Sequence, residues 1–448
     1  MDITHDSIPG LIRKIATPFA LGTLFSTFFN VTDTFFAGRL STDALAALSL
    51  SFPMYFLIFG PGIGIQSGAA ALISNALGSG DEQRASRYQA QAITLGVVAA
   101  AAVGLLLQLI LPWLFRLFDP SQEVLAGGLR YMRVIAAGAP ALVLVPVTNA
   151  GLIARGETRV YRNMLMIIAL LNVGLDPLLM FGLRIADVQI IPSLREAGTA
   201  AATVALQAGG LVYIVRRGMR DGAFTGISKR DFLPSREHMR DLLSQSAPAT
   251  IDFLTITIGA FVINYFVSDF GRNAVAAYGA ALRVEQIALL PLFGISTALA
   301  TLVGQNNGAG RRDRVHESFR VSILISIAAA VAILTPVVLA APFLLRLFTD
   351  VPKVVDIGRN YLYIQALTYF SYILMNLSNS VLRGIKRPFA IMWIGLYRQA
   401  AAPFVVFPLL AYSAGLGVYG IFWGLVAVNW SAAVFTYLWS RRKLAVTA

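Results

Sequence analysis

Long apolar segments alternate with short polar, charged or Gly/Pro-containing breaks along the whole chain. Each segment holds about 20 residues, the length that an α-helix needs to cross a bilayer core of about 30 Å. The strands of a membrane barrel would instead alternate apolar and polar positions over about ten residues. The pattern therefore predicts an all-α polytopic membrane protein with twelve transmembrane helices, at residues 13–37, 50–76, 88–111, 131–154, 162–183, 192–215, 243–268, 280–305, 317–341, 359–382, 388–411 and 415–440.

Composition and charge support this assignment. Of the 448 residues, 57% are hydrophobic and 13% are charged, whereas about 25% are charged in an ordinary soluble domain. If the N-terminus is cytoplasmic, the cytoplasmic loops and termini hold 24 Lys and Arg residues and the opposite face holds 11. The positive-inside rule therefore predicts that both termini lie in the cytoplasm. The net charge of +13 follows this distribution, so we expect no nucleic-acid partner.

An internal repeat relates the two halves of the chain at a constant offset of 230 residues. It pairs Pro18 with Pro248, Gly78 with Gly308, Pro112 with Pro342, Tyr131 with Tyr361, and Asn149 with Asn379. The repeat maps spans 1 to 4 onto spans 7 to 10. Because six spans is an even number, the two copies have the same orientation, as in two-lobed alternating-access carriers. We predict an N-terminal lobe at 1–215, a basic cytoplasmic linker at 216–240 and a C-terminal lobe at 241–448.

Two carboxylates lie inside the spans of the first half. Asp33 is deep in span 1, fifteen residues after Pro18, which lacks an amide hydrogen and is a candidate hinge. Asp176 is in span 5 with Asn172 one helical turn before it, so the two share a helix face. Ionisable groups inside a membrane cost about 2.5–3.5 kcal/mol each and usually serve function. Asp33 could alternatively be an interfacial residue that reaches water.

The second half lacks this set, because the offset places Ile263, Ala402 and Val406 at the corresponding positions. Its membrane-embedded candidates are Asp252, Glu285 and Arg398, which we treat as possible substrate contacts. Asp252 could instead accept hydrogen bonds from amides freed near Pro248. Glu285 could form an interfacial salt bridge with Arg283, and Arg398 could have a purely structural role.

Several chemistries are excluded by the sequence. It contains no cysteine, and its three histidines lie in the N-terminus or in loops. No zinc-protease, serine-hydrolase, Walker A or dinucleotide-binding motif occurs. We therefore expect neither an enzyme nor an ATP-driven pump, with no cofactor and no bound metal centre; H+ or Na+ would serve as coupling ion.

The motifs resemble those of the multidrug and toxic compound extrusion (MATE) transporters over essentially the whole chain. They are Asn30-Val-Thr-Asp33-Thr, Gly38-Arg-Leu-Ser-Thr-Asp43, Leu77-Gly-Ser-Gly80, Asn172-Val-Gly-Leu-Asp176-Pro, Gly198-Thr-Ala-Ala-Ala-Thr203 and Leu382-Arg-Gly384. The resemblance implies a two-lobed carrier that exports organic cations or amphiphiles. It further implies that Asp33, Asn149, Asn172, Asp176 and Thr203 line a cation site, and that Na+ could bind Asp33, Asn172, Asp176 and Thr203.

The DinF-like branch of this family is the closer match. Span 7 reads Thr255-Ile-Thr257 where the NorM-like branch has a glutamate, and span 10 carries no acid. The resemblance therefore implies coupling through the first lobe.

The leading hypothesis is a proton- or sodium-coupled drug antiporter in the cytoplasmic (inner) membrane. Its expected partners are the lipid bilayer and small cationic or amphiphilic substrates, and we expect a monomer. The alternative is a lipid-linked saccharide or lipid flippase of the same superfamily, for which fourteen spans and a basic cavity would be expected. A scaffold or channel would have no evident use for an acidic pair confined to one lobe.

Overall fold

The computed structural model describes residues 1–185 and 188–446, and almost all of them are helical. The first part of the chain forms α1 (Ile8–Leu40), α2 (Thr42–Gly78), α3 (Glu82–Arg116), α4 (Gln122–Ala137), α5 (Ala139–Ala154), α6 (Arg159–Phe181), β1 (Leu183–Ile185), β2 (Val188–Ile191) and α7 (Glu196–Arg220). The second part forms α8 (Arg236–Ser268), α9 (Arg272–Gly308), α10 (Arg312–Leu339), α11 (Ala341–Arg346), α12 (Pro352–Gly384), α13 (Phe389–Leu396), α14 (Ala402–Pro408) and α15 (Val418–Val446).

Each of the twelve predicted spans overlaps a helix or consecutive helices along most of its length. Within the described ranges, ten helical segments are long and apolar enough to cross a membrane, and the bent pair α4–α5 makes an eleventh. The remaining predicted span lies in α12, whose mean hydropathy is reduced by polar residues such as Gln365, Thr368 and Asn376. The chain is thus a multi-pass helical membrane protein.

Three spans differ in detail from the prediction. The fourth begins at Gln122 and bends by 48° at the break between α4 and α5, where Gly138 interrupts the helix. The sixth begins at Glu196, because Arg195 before it has a left-handed backbone with φ of 52° and so lies outside the helix. Before that point, β1 and β2 pair as antiparallel strands. The eleventh contains π-helical turns at Tyr397–Ala401 and Leu409–Ser413. Pro403 and Pro408 lie between these two turns. Because proline has no amide hydrogen, it favours a change from α-helical to π-helical hydrogen bonding nearby.

The helices form two compact units, residues 21–250 and residues 1–20 together with 251–448. The division crosses α1 two residues after Pro18 and α8 two residues after Pro248. In the first unit, Leu242 of α8 packs into the same core as Leu72 and Ile135. In the second unit, Leu11 and Ile15 of α1 pack with residues of α9 and α12. The lobe boundaries deduced from the repeat stay a prediction.

The basic segment after α7 is attached to α3 rather than extended. The Gln91 side chain donates to the carbonyl oxygens of Asp231 (2.5 Å) and Leu233 (2.7 Å), and the Tyr88 hydroxyl donates to Asp241 at 2.6 Å. The Ser228 amide donates to the Asp231 carboxylate at 2.7 Å and so holds the pKa of that group below its usual value. Residues 228–241 are thereby fixed to the first unit.

Close helix contact in the first unit depends on glycines of α2 that face α8. A Cβ atom at Gly64 would lie 2.7 Å from the Thr250 backbone nitrogen, and one at Gly68 would lie 2.8 Å from that of Ser246. These neighbours are backbone atoms, which cannot move as a flexible side chain can. Small residues at such spacing allow two membrane helices to approach closely.

Gly64→Val is therefore expected to lower the free energy of unfolding by about 1–3 kcal/mol or to abolish the folded protein, as overpacking does. Gly209→Val is the matched control, because a Cβ atom at Gly209 meets nothing within 4 Å. Thermal unfolding in detergent, followed by size-exclusion chromatography, measures the difference. Equal stability of the two variants would contradict this interpretation of the contact.

Candidate cation and substrate site

Three helices of the first unit supply a cluster of polar residues. α1 contributes Asp33, α6 contributes Asn172 and Asp176, and α7 contributes Thr199 and Thr203. Residues four apart on a helix lie on the same face. The α6 pair and the α7 pair each point their polar groups in one direction for this reason.

Asp33 is the centre of the hydrogen bonds in this cluster. The Asn172 amide Nδ2 donates to Asp33 Oδ1 at 2.7 Å, and the Thr203 hydroxyl donates to Asp33 Oδ2 at 3.5 Å. Asp33 is 7% exposed, so it does not extend to water in the way that an interfacial residue would. The structure thus brings Asn172 and Thr203 into contact with Asp33. In the sequence these two residues lie 139 and 170 positions after Asp33.

Asp176 is completely buried beside this group. Within the described residues, neither of its carboxylate oxygens accepts a hydrogen bond of normal geometry, and the Asn172 carbonyl oxygen has no donor either. The Thr199 side chain lies next to Asp176, and Asp176 is one helical turn after Asn172, the residue that donates to Asp33. Buried acceptors without donors are costly. The cluster therefore has an excess of oxygen acceptors that a proton or a small cation can satisfy.

A cavity of about 300 Å³ gives access to Asp33 and Thr203. Its wall is partly aromatic and partly hydroxylic. It is lined by Phe29, Asn30, Asp33, Thr34, Leu45, Leu48, Ser49, Ser51, Phe52, Tyr55, Tyr131 and Thr203. The ring of Tyr55 stacks on Phe59 at a centroid distance of 6.0 Å, and Phe52 packs edge-on against Phe56 at 4.8 Å. Flat apolar rings around one carboxylate suit an amphiphile with a positive charge.

Two other residues of the first half, a predicted site residue and a predicted hinge, take no part in the hydrogen bonds to Asp33. Asn149 of α5 is fully buried, and among the described residues neither its amide nitrogen nor its carbonyl oxygen has a partner. Pro18 lies within the continuous helix α1, two residues before the division between the compact units. The site role of Asn149 and the hinge role of Pro18 stay predictions.

The three predicted contacts of the second half each have a polar partner in their own unit. Asp252 forms an ion pair with Arg383 at 3.2 Å. Glu285 accepts a hydrogen bond from the Tyr361 hydroxyl at 2.6 Å, while Arg283 lies over the ring of Phe348 instead. Arg398 donates from Nη1 to the Asn429 side-chain oxygen at 3.1 Å. The suggested Glu285–Arg283 salt bridge is absent from the described part of the chain.

Sequence reasoning missed several residues of these sites. Thr199 is one turn before Thr203, and that spacing could have indicated it. Tyr55 and Tyr131 line the cavity but carry no signal that separates them from other aromatic residues in spans. Arg383 and Asn429 were missed because their partners are 131 and 31 residues away.

Comparison with known proteins decides the family. The MatE family profile matches residues 18–178 and again residues 248–406. The two matches begin 230 residues apart, which confirms the internal repeat. The chain belongs to the MatE family. The predicted membership of the multidrug and toxic compound extrusion transporters is therefore confirmed, while the assignment to the DinF-like branch stays a prediction.

Relatives of this MatE protein align along almost its whole length. A protein of Shewanella oneidensis named "FAD transporter" is 27% identical over 438 residues, covering 96% of this chain and 94% of that protein. A protein of Thermotoga maritima named "Probable multidrug resistance protein NorM" is 25% identical over 424 residues, covering 92% and 88%.

Solved structures share the fold of this MatE protein. A MOP superfamily transporter from Pyrococcus furiosus matches with a TM-score of 0.90 at 22% identity, over 99% of this chain and 97% of that one. A structure described as "Crystal structure of MATE in the bent conformation" matches with a TM-score of 0.91, also at 22% identity and over 99% and 97% of the two chains. The twelve-helix arrangement expected from the hydropathy pattern is thus that of MATE transporters.

Proposed function

We propose that this MatE protein is a secondary active antiporter that exports organic cations or amphiphilic drugs in exchange for protons or sodium ions. The observation that carries the proposal is the pair of acids in the first unit. Asp33 faces a cavity and accepts two hydrogen bonds, whereas Asp176 is buried with both oxygens unsatisfied among the described residues. Such a site gains stability when a cation or proton enters it.

The donor atoms fit either coupling ion. Asp176 offers two free carboxylate oxygens, Asn172 offers a free carbonyl oxygen, and Thr203 offers a hydroxyl. Sodium prefers such hard oxygen donors, as other hard cations do. A proton can instead bind a carboxylate and turn it into a hydrogen-bond donor. Na+ or H+ is in either case a transported substrate of the antiporter.

Competition at Asp33 would couple the two substrates. A cationic drug in the aromatic cavity and a coupling ion at the acid pair both need the same negative charge. An ion that binds one conformation better shifts the population toward it, so entry of the ion favours release of the drug. Bending of α1 at Pro18 would change the shape of the cavity. The protein would act as a monomer in the cytoplasmic membrane, with both termini in the cytoplasm.

Reconstituted protein tests the coupling ion and the location of the site together. Proteoliposomes loaded with a fluorescent organic cation should export it under a pH gradient alone or a sodium gradient alone. Glu285→Gln should change substrate affinity or range by less than about tenfold and leave the ion dependence unchanged, because Glu285 belongs to the other unit. Loss of ion dependence in Glu285→Gln, with Asp176→Asn unaffected, would place the coupling site in the second unit.

A second candidate substrate is a flavin nucleotide, favoured by the similarity to the FAD transporter of Shewanella oneidensis. A nucleotide carries several negative charges, which the acid pair of the first unit would disfavour. Uptake of FAD into inside-out vesicles, measured beside the organic cation, distinguishes the two substrate classes.

A further inference from the structure

Arg398 in the eleventh span forms no ion pair with an acid of the described residues. Its Nη1 donates to Asn429, and its Nε is buried with no acceptor among residues 1–185 and 188–446. The side chain is only partly exposed. A guanidinium cannot lose its charge in a protein. A positively charged side chain in a membrane span is costly when no anion lies beside it. An anionic ligand would offset this cost.

The acids of the second unit do not supply that anion. Asp252 lies near Arg398, but its carboxylate forms its ion pair with Arg383 at 3.2 Å. Glu285 is bound to the hydroxyl of Tyr361. Around Asp252 there are thus two guanidinium groups and one carboxylate, which leaves an excess of one positive charge.

The position of Arg398 is also specific to the second half of the chain. The offset of 230 places Ile168 at the matching position of α6, where it is part of an apolar core. Arg398 lies in the π-helical turn Tyr397–Ala401, and such turns occur often at functional sites. Among the described residues the two halves thus differ in charge: carboxylate oxygens without a donor lie in the first, and a guanidinium without an ion-pair partner lies in the second.

We propose that Arg398, held in position by Asn429, binds the carboxylate or phosphate group of an anionic or zwitterionic amphiphile. A guanidinium recognises both groups with two parallel hydrogen bonds. The group belongs either to a transported substrate or to the headgroup of an anionic lipid. Binding of a transported substrate rests on the proposed function, whereas binding of a lipid headgroup does not depend on it.

Two dyes that differ in one group provide the test for a substrate. Rhodamine 110 carries a free carboxylate, and rhodamine 123 is its methyl ester. Fluorescence anisotropy of the purified full-length protein should show that Arg398→Gln weakens binding of rhodamine 110 by about tenfold or more, the loss expected for a hydrogen bond to a charged group. Binding of rhodamine 123 should be unchanged. Arg312→Gln, at an exposed position at the start of α10, is the matched control.

A second variant keeps the arginine and supplies the missing anion. Asn429→Asp replaces an amide with a carboxylate of nearly the same shape beside Arg398 Nη1. We expect it to weaken rhodamine 110 binding as much as Arg398→Gln does, while thermal unfolding occurs at an equal or higher temperature than in the wild type. Arg398→Gln removes a positive charge from the site, and Asn429→Asp adds a negative charge to it. Both variants make the site less positive through different residues, so a shared folding defect cannot explain both results.

Nanodiscs with and without phosphatidylglycerol provide the test for a lipid. A headgroup ligand predicts that phosphatidylglycerol raises the unfolding temperature of the wild type and of Arg312→Gln but not of Arg398→Gln. Either result, with the dye or with the lipid, supports the anion site. If Arg398→Gln behaves like Arg312→Gln toward both anionic probes, the proposal is wrong. That outcome would leave the export of cations untouched, because rhodamine 123 binding and ion-driven efflux are measured separately.

Discussion

Asp33→Asn is expected to abolish gradient-driven export, with a fall in transport rate of at least about 100-fold, while the protein still inserts and folds. The change removes one titrating group from the site at almost constant volume. The Asn172 amide would then face a neutral group in place of a carboxylate, and the cavity would lose its negative charge. Efflux of a fluorescent cation from proteoliposomes under the active gradient measures the effect.

Asp43→Asn is the matched control for this experiment. It is the same chemical change in the same unit, but Asp43 is exposed in the first turn of α2. It should leave transport within about twofold of the wild type. Normal expression of Asp33→Asn together with undiminished efflux would remove Asp33 from the coupling site.

The acid pair is expected to behave as one titrating unit. Asp33→Asn and Asp176→Asn should each be as damaging as the double variant, because residues that share a network are not additive. Asn172→Ala removes the donor that contacts Asp33 at 2.7 Å. We expect the pH of half-maximal transport to shift upward in this variant, since a carboxylate that has lost a donor is ionised less readily.

Transport rates of the two single variants and the double variant, measured across pH, provide the comparison. Partial effects that add in free energy would show that the two carboxylates act independently. An unchanged pH profile in Asn172→Ala would show that its amide does not support the coupling acid. Either result would require a different mechanism from the one proposed.

The sequence predicted the spans well because a membrane helix is defined by a long local pattern. The predicted limits of the spans still differ from the observed helix ends where the backbone departs from helical geometry. Gly138 divides the fourth span, and β1 and β2 pair as antiparallel strands between the fifth and sixth helical spans. Neither feature changes mean hydropathy enough to be seen in the sequence.

The site was predictable only in part, and for a physical reason. Asp33 and Asp176 are conspicuous because charge is rare in lipid. The contact of Asp33 with Asn172 and Thr203 follows from helix packing, which the resemblance to MATE transporters indicated and the local pattern could not. Tyr55 and Tyr131 are indistinguishable in sequence from aromatic residues that contact lipid. That Arg398 forms no ion pair among the described residues depends on side-chain positions and could not be predicted.

The sharing of α1 between compact units has a consequence for synthesis of the protein. Leu11 and Ile15 leave the ribosome at the start of translation, yet they pack with residues of α9 and α12, about 280 to 370 positions later. Contacts between such distant residues form slowly, and domains generally fold as units from the N-terminus. The first turns of α1 therefore have no packing partners until α9 and α12 have been synthesised and inserted. In a stalled or truncated chain that lacks α9 and α12, this face of α1 would have no packing partners and would contact lipid.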